Sequence, residues 1–384
     1  MIEYRDTAYG RVPLPAGIRS RKEANGNGLR MHFLEAGFEE RSRPCALLLH
    51  GFPELAYSWR HVMPALAQAG FHVIAPDQRG YGRTTGWDPD YDGDLACYRL
   101  FYLVRDVMGL LDALGRTEVA LLAGHDFGAS VAAWAALIRP DVFHRLALMS
   151  APFPGPPDIS PQPPSARSIH AELAALDRPR KHYQWYYSTR SASADMQHCP
   201  QGLHAFLRAY FHHKSADWAG NRPFRLAAWS AEELARMPTY YIMDRDMTMA
   251  ETVAVEMPGE EEIAACRWLP DAELAVYARE YERIGFQGGL QWYRCRTSGR
   301  FDREHELFSG RRIEVPACFI AGAADWGIHQ VPGALEAMEE RAARWAGTWL
   351  VDGAGHWVQQ ERPDAVSARL TAFASHGREC GAGH

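Results

Sequence analysis

Gly124-His125-Asp126-Phe127-Gly128 holds a carboxylate at the centre of a Gly-x-Asp-x-Gly spacing. This is the spacing of a nucleophile elbow, Gly-x-Ser-x-Gly, with Asp126 where the serine would stand. A carboxylate so placed could attack an electrophilic carbon and form an ester that water then hydrolyses. That chemistry needs donors for a developing oxyanion, a base for water and a group that orients the base. Asp126 would serve equally as the N-cap of a following helix, a role aspartate fills well. The motif alone does not choose between the two.

A base and its orienting acid are both at hand. His356 lies in Gly353-Ala354-Gly355-His356-Trp357, directly after the last strand-like run. Asp325 lies in Gly322-Ala323-Ala324-Asp325-Trp326-Gly327, directly after the run before it. Asp158 is a rival for the orienting acid, but Asp325 is preferred for its place at a strand end and its Asp-Trp-Gly context. His212-His213-Lys214 resembles a metal-binding tract, yet no partner spacing supports it, and a solvated helix face is the expectation. Asp244 and Asp246 are expected at the surface.

These residues need a frame that brings strand ends together. Residues 17–24 and 29–36 read as strands around Asn25-Gly26-Asn27-Gly28, a strong hairpin signal. Cys45-Ala46-Leu47-Leu48-Leu49 suits a strand buried on both faces and ends in His50-Gly51-Phe52-Pro53-Glu54. A helix is predicted over 58–69, a strand over 71–75 and an amphipathic helix over 98–114, with Gly115 past its end. The elbow strand (119–123), the elbow helix (128–137) and a strand over 146–149 follow. Alternation of this kind predicts an α/β fold, with a mostly parallel central sheet and helices on both faces. Catalytic groups should then lie on loops at the carboxyl edge.

The texture changes at Pro152, where prolines crowd 152–157 and 161–164. From 169 to 285 the pattern is helical and dense in aromatics, so an inserted helical cap is expected over 153–300. Strand texture returns at 316–322 and 348–352, and a helix over 363–374 closes a discontinuous core of 1–152 and 301–384. The ends, 1–10 and 375–384, are polar, the latter expected to fray.

The chain has 384 residues, 47% hydrophobic and 23% charged, with a net charge of −6. No basic stripe marks a nucleic-acid partner. No apolar run is long enough to span a bilayer, and 1–10 has no apolar signal-peptide core. Seven scattered cysteines without Cys-x-x-Cys spacing predict free thiols and a cytoplasmic location.

The order Asp126, Asp325, His356 is the nucleophile–acid–histidine order of α/β-hydrolases. With His50-Gly51-Phe52-Pro53-Glu54, the elbow and Gly355-His356-Trp357, the chain resembles an α/β-hydrolase of the epoxide hydrolase kind. Trp292-Tyr293-Arg294 and His182-Tyr183 resemble the two cap segments that carry this family's ring-opening tyrosines. The resemblance covers nearly the whole chain. It departs in a longer cap, with the surplus in about 202–258, and in Phe127, where many relatives have tryptophan. It implies two displacements. Asp126 opens an epoxide while Tyr183 and Tyr293 protonate the oxygen. His356, oriented by Asp325, then activates water against the ester. Backbone N–H groups of Phe52 and Phe127 would form the oxyanion hole, and His50, Pro53, Trp292 and Trp357 would contact substrate. No cofactor or metal is implied.

From their neighbours alone, Tyr183 and Tyr293 could be core aromatics. A haloalkane or haloacid dehalogenase with the same Asp–His–Asp logic, and a non-catalytic ligand-binding protein on this fold, stay open as alternatives. So does a homodimer.

Overall fold

The computed structural model describes residues 14–159 and 169–375. The readings on 1–10, 161–164 and 376–384 lie outside the described residues.

Strands β1 (Ile18–Ala24) and β2 (Arg30–Ala36) form the expected antiparallel hairpin, with Ile18 opposite Ala36. Asn25 shapes its turn: the side-chain oxygen accepts the N–H groups of Asn27 and Leu29 at 2.9 and 3.1 Å. There follow β3 (Cys45–Leu49), β4 (His72–Pro76), β5 (Leu121–His125) and β6 (Leu146–Met149). Every residue of these four strands is buried. Such strands show no polar alternation because both faces of the sheet are covered. A short antiparallel pair, β7 (Arg180–His182) and β8 (Ile242–Asp244), stands apart from the main sheet. β9 (Ile313–Gly322) and β10 (Ala342–Val351) complete eight strands in the order β1-β2-β4-β3-β5-β6-β9-β10. Pairing is antiparallel from β1 to β4 and parallel from β4 to β10.

The principal helices are α1 (Met63–Gln68), α2 (Leu100–Ala113), α3 (Phe127–Ile138), α4 (Tyr183–Tyr187), α5 (Leu203–Lys214), α6 (Asp271–Ile284), α7 (Gln287–Ser298) and α8 (Pro363–Ser375). Between β6 and β9 the chain leaves the main sheet and is largely helical.

Three expectations need correction. The helix over 58–69 is two pieces, a 3-10 turn at Ala56–Trp59 and α1. Pro64, which lacks an N–H and crowds the carbonyl four residues back, starts a helix but cannot sit inside one. β10 begins six residues before the predicted 348. The tract at 212–214 is no solvated face: His212, His213 and Lys214 are all buried. They form the last turn of α5, which runs beneath Trp357, with Phe211 and Trp357 ring centroids 4.5 Å apart.

Candidate active site

The carboxyl ends of β3, β5, β6, β9 and β10 converge, as the parallel order requires. At the end of β5 the chain turns sharply into α3. A Cβ on Gly128 would lie 2.5 Å from the carbonyl oxygens of Leu49 and His50, so only glycine lets α3 begin against β3. Asp126 takes φ 51° and ψ −121°, a strained conformation for a residue with a Cβ. Its backbone is tied down, donating to Met149 O at 3.1 Å and accepting from Ala129 N–H at 3.0 Å. Although Asp126 stands at the N-cap position, its side chain makes no capping bond. The carboxylate instead faces the cavity, and Phe52 N–H donates to its Oδ1 at 3.0 Å. The other expected donor, Phe127 N–H, makes no hydrogen bond to it. The Phe52–Pro53 bond is cis.

His356 Nδ1 faces Asp325, 3.1 Å from Oδ1 and 3.3 Å from Oδ2, and Gly327 N–H holds Oδ1 at 2.6 Å. His356 Nε2 lies 3.4 Å from Asp126 Oδ2 and has no hydrogen-bond partner. Asp158, the rival acid, is exposed. Burial pushes the Asp126 carboxyl up, but the close approach and charge of His356, then the charges of Lys214 and His125, hold it well below the carboxylate range. Asp325 is likewise depressed: burial is outweighed by His356 and the Gly327 N–H.

Tyr183, opening α4, and Tyr293, in α7, line the same cavity of about 90 Å³ as Asp126. Their ring centroids are 6.0 Å apart. Tyr183 Oη donates to Gln330 Oε1 at 3.0 Å and accepts from Gln184 Nε2 at 3.1 Å. Burial first, then the Asp126 charge, push both phenols well above their ordinary value. Both are therefore neutral donors. A second cavity of about 370 Å³ adjoins the first across Phe127, Ser130, Pro152 and Arg296, and is walled by Trp134, Phe153 and Phe301.

Four residues expected to touch substrate do not line the Asp126 cavity. His50 is fully buried, with Nδ1–H on Gly51 O at 2.9 Å and Nε2 accepting Gln78 N–H at 3.1 Å. Pro53 is buried behind Phe52. Trp292 donates its indole N–H to Arg79 O and Trp357 donates to Phe211 O, both at 2.9 Å. The polar groups of His50, Trp292 and Trp357 bond backbone, so His50, Pro53 and Trp357 stand in the frame of the site, while Trp292 also lines the second cavity.

Other groups escaped the sequence reading. His125 Nδ1 faces Glu54 Oε2 at 2.6 Å and Nε2 faces His356 O at 2.7 Å. Both ring nitrogens meet acceptors, which makes His125 an imidazolium paired with a carboxylate. The directions agree: burial lowers His125 but the Glu54 charge raises it overall, and the His125 charge outweighs burial to lower Glu54. Glu54 Oε1 is held by Gln359 and Gln360 at 2.7 and 3.1 Å. Lys214 Nζ is caged by the rings of Tyr210, Tyr240, Tyr241 and Trp357, at 5.1–5.8 Å from their centroids. The signal available for Glu54 and His125 was a charged type at an otherwise apolar strand end; for Lys214 there was none. Among the described residues no cluster of three or more His, Cys, Asp or Glu could hold a metal. No helix among them is long and apolar enough to cross a membrane.

Residues 47–236 match the family described as alpha/beta hydrolase fold. The chain is 35% identical to epoxide hydrolase A of Mycobacterium tuberculosis, over 93% of this chain and 98% of that one. It is 33% identical to epoxide hydrolase B of the same organism, over 91% and 96%. Among solved structures, an epoxide hydrolase from an endophytic Streptomyces superposes with a TM-score of 0.74 at 30% identity, covering 93% and 95%. Potato (Solanum tuberosum) epoxide hydrolase I gives 0.70 at 29%, covering 93% and 98%.

Proposed function

The chain belongs to the epoxide hydrolase family of the α/β-hydrolase fold, and from that premise we propose how its residues divide the reaction. It is an epoxide hydrolase. In the first displacement Asp126 attacks an epoxide carbon, forming a C–O ester bond as the ring C–O bond breaks. The released oxygen takes a proton from Tyr183 or Tyr293, so no free alkoxide has to leave. In the second, water loses a proton to His356 Nε2 and attacks the Asp126 ester carbonyl; as the tetrahedral intermediate collapses, His356 returns that proton to the departing diol oxygen, and the proton shed by the new Asp126 carboxyl restores the tyrosinate to the phenol. Asp325 holds the imidazole tautomer and stabilises the imidazolium. Phe52 N–H, and Phe127 N–H once the tetrahedral intermediate forms, stabilise its oxyanion.

The observation that supports this most is the cavity itself, which Asp126 and two neutral phenols, Tyr183 and Tyr293, line together. A departing halide needs no proton, so two phenols suit an epoxide better than a carbon–halogen bond. The inserted segment, 153–300, then acts as the lid that carries the acids. The adjoining aromatic cavity receives a bulky apolar substituent of the epoxide. The six free cysteines among the described residues favour a reducing, cytoplasmic setting.

A single turnover in ¹⁸O-labelled water tests the division of labour. Label should enter the Asp126 carboxylate first and reach the diol only on later turnovers. Label in the first diol would mean direct attack by water, and Asp126 would lose the nucleophile's role.

A further inference from the structure

The backbone of the histidine loop is held from two sides. Three consecutive N–H groups follow β10, those of Gly355, His356 and Trp357. Gly355 N–H donates to Glu361 Oε2 and Trp357 N–H to Glu361 Oε1, each at 2.9 Å. The middle one, His356 N–H, donates to Lys214 O at 2.9 Å, at the end of α5 in the inserted segment. Glu361 Oε2 also accepts Ala216 N–H at 2.8 Å, two residues beyond Lys214. One buried carboxyl group thus ties both flanks of His356 and the 214–216 turn into a single knot, and every donor in that knot is a backbone N–H. Gly355 marks the closeness of that approach: a Cβ there would come within 2.5 Å of Ser215 C, 2.6 Å of Lys214 O and 2.7 Å of Ala216 N. The His356 carbonyl is pinned as well, by His125 Nε2 at 2.7 Å and Ser150 Oγ at 3.1 Å.

Asp126 is held by other groups: its backbone by Met149 O and Ala129 N–H, its carboxylate by Phe52 N–H. Glu361 bonds none of these groups, so the two supports meet only where His125, next to Asp126, reaches His356 O. We propose that Glu361 is a positioning residue for His356, and that through it the seating of the 214–216 turn on the core governs hydrolysis of the Asp126 ester but not its formation. This rests on the roles given above to Asp126 and His356. It also gives the long insertion over 202–258 a purpose, since α5 lies there and supplies the strut.

Rapid-quench kinetics with mass spectrometry of the ester tests this, in the full chain and in Glu361→Gln, Glu361→Ala and Gly355→Ala. Gln keeps one acceptor oxygen but turns an amide NH₂ toward a backbone N–H; Ala removes every bond; Gly355→Ala forces the 214–216 turn off the loop from the other side. The expected result is ester formation close to the unaltered rate, with decay slowed roughly tenfold to a hundredfold, the scale of a small misplacement of a catalytic group. The loss should grow from Gln to Ala, the ester should accumulate at steady state, and the pH profile of its decay should move. Normal ester formation also certifies that each variant is folded, and Gln carries the test should Ala not fold. Decay at the unaltered rate in the Gln and Gly355→Ala variants, or parallel loss of both steps, overturns the strut. An unaltered enzyme that forms no ester overturns the nucleophile assignment beneath it, a result distinct from the other two.

Discussion

The two phenols proposed as ring-opening acids, Tyr183 and Tyr293, rest in different states. Tyr183 Oη donates to Gln330, whereas the Tyr293 hydroxyl makes no hydrogen bond to any described residue. In the proposed ring opening, negative charge moves from Asp126 to the epoxide oxygen, and preorganised donors at the end of that path stabilise it. Tyr183 must surrender Gln330 to act, whereas Tyr293 has no such bond to break among the described residues. Tyr183→Phe or Tyr293→Phe should each slow ester formation by roughly tenfold or more, the usual scale of general-acid help. The double variant should nearly abolish it with the fold intact, since Phe conserves almost all the volume. Rapid-quench measurement decides, and a double variant that alkylates at the unaltered rate would remove the phenols from the chemistry. At this scale the sequence was informative where a polar residue followed a strand end, as Asp126, Asp325 and His356 do. It was misleading at 212–214, because consecutive polar residues on a helix read as solvated unless one knows that the helix runs beneath a tryptophan. Trp357 misled in the other direction: it follows His356 in the motif, while its own indole N–H faces Phe211 O and it lies outside the Asp126 cavity.

The element scale turns on the elbow, where close packing joins backbone hydrogen bonding in setting the geometry. Strand β5 and helix α3 can meet β3 only because Gly124 and Gly128 present no Cβ; one on Gly124 would be driven into the Gly128 carbonyl. Gly128→Ala should therefore destabilise by about 1–3 kcal/mol through overpacking, despite alanine's better helix propensity. It should also displace Asp126 from Phe52 N–H. A lowered urea midpoint with unchanged m-value, alongside slower ester formation, is the expected pair of results. An unshifted midpoint would mean the contact with Leu49 and His50 relaxes freely. The central strands were legible because a run such as Cys45–Leu49, buried on both faces, has no other reading between turn signals. β7 and β8 were not, since three residues are too few to show a period. They exist by pairing with each other, Arg180 opposite Asp244, across a long intervening stretch of helix and loop.

At the scale of the whole molecule, the inserted segment is fastened to the sheet domain by buried polar contacts as well as by aromatic packing. Arg60, fully buried at the end of the 3-10 turn after β3, donates through Nε to Glu273 Oε2 at 3.0 Å, and Nη2 reaches the same oxygen. Its Nη1 donates to Tyr57 O at 3.0 Å and to Gln360 Oε1 at 2.9 Å. Glu273 belongs to α6, and one turn on, Tyr277 Oη meets Ser58 Oγ at 2.8 Å. No sequence pattern announces such a pair, because its members lie 213 positions apart and each resembles an ordinary surface charge. Burial pushes the Glu273 carboxyl up, but the His61 hydrogen bond and the charge and hydrogen bond of Arg60 bring it from 4.5 down to about 2. The sign follows from linkage. A carboxyl depressed in the folded state contributes stability that is fully present above its unfolded value of 4.5, and that is lost as pH falls through the folded value near 2. Urea melts of the unaltered chain and Glu273→Gln at a series of pH values should therefore differ by a constant amount above about pH 5 and converge between 4.5 and 2, with the unaltered chain the more stable at neutral pH. Because other carboxyls titrate in the same window, the difference between the two chains is the quantity to follow rather than either curve alone. A difference that stays constant down to pH 2, or that grows on acidification, would show that the Arg60–Glu273 pair is not what fastens α6 to the core.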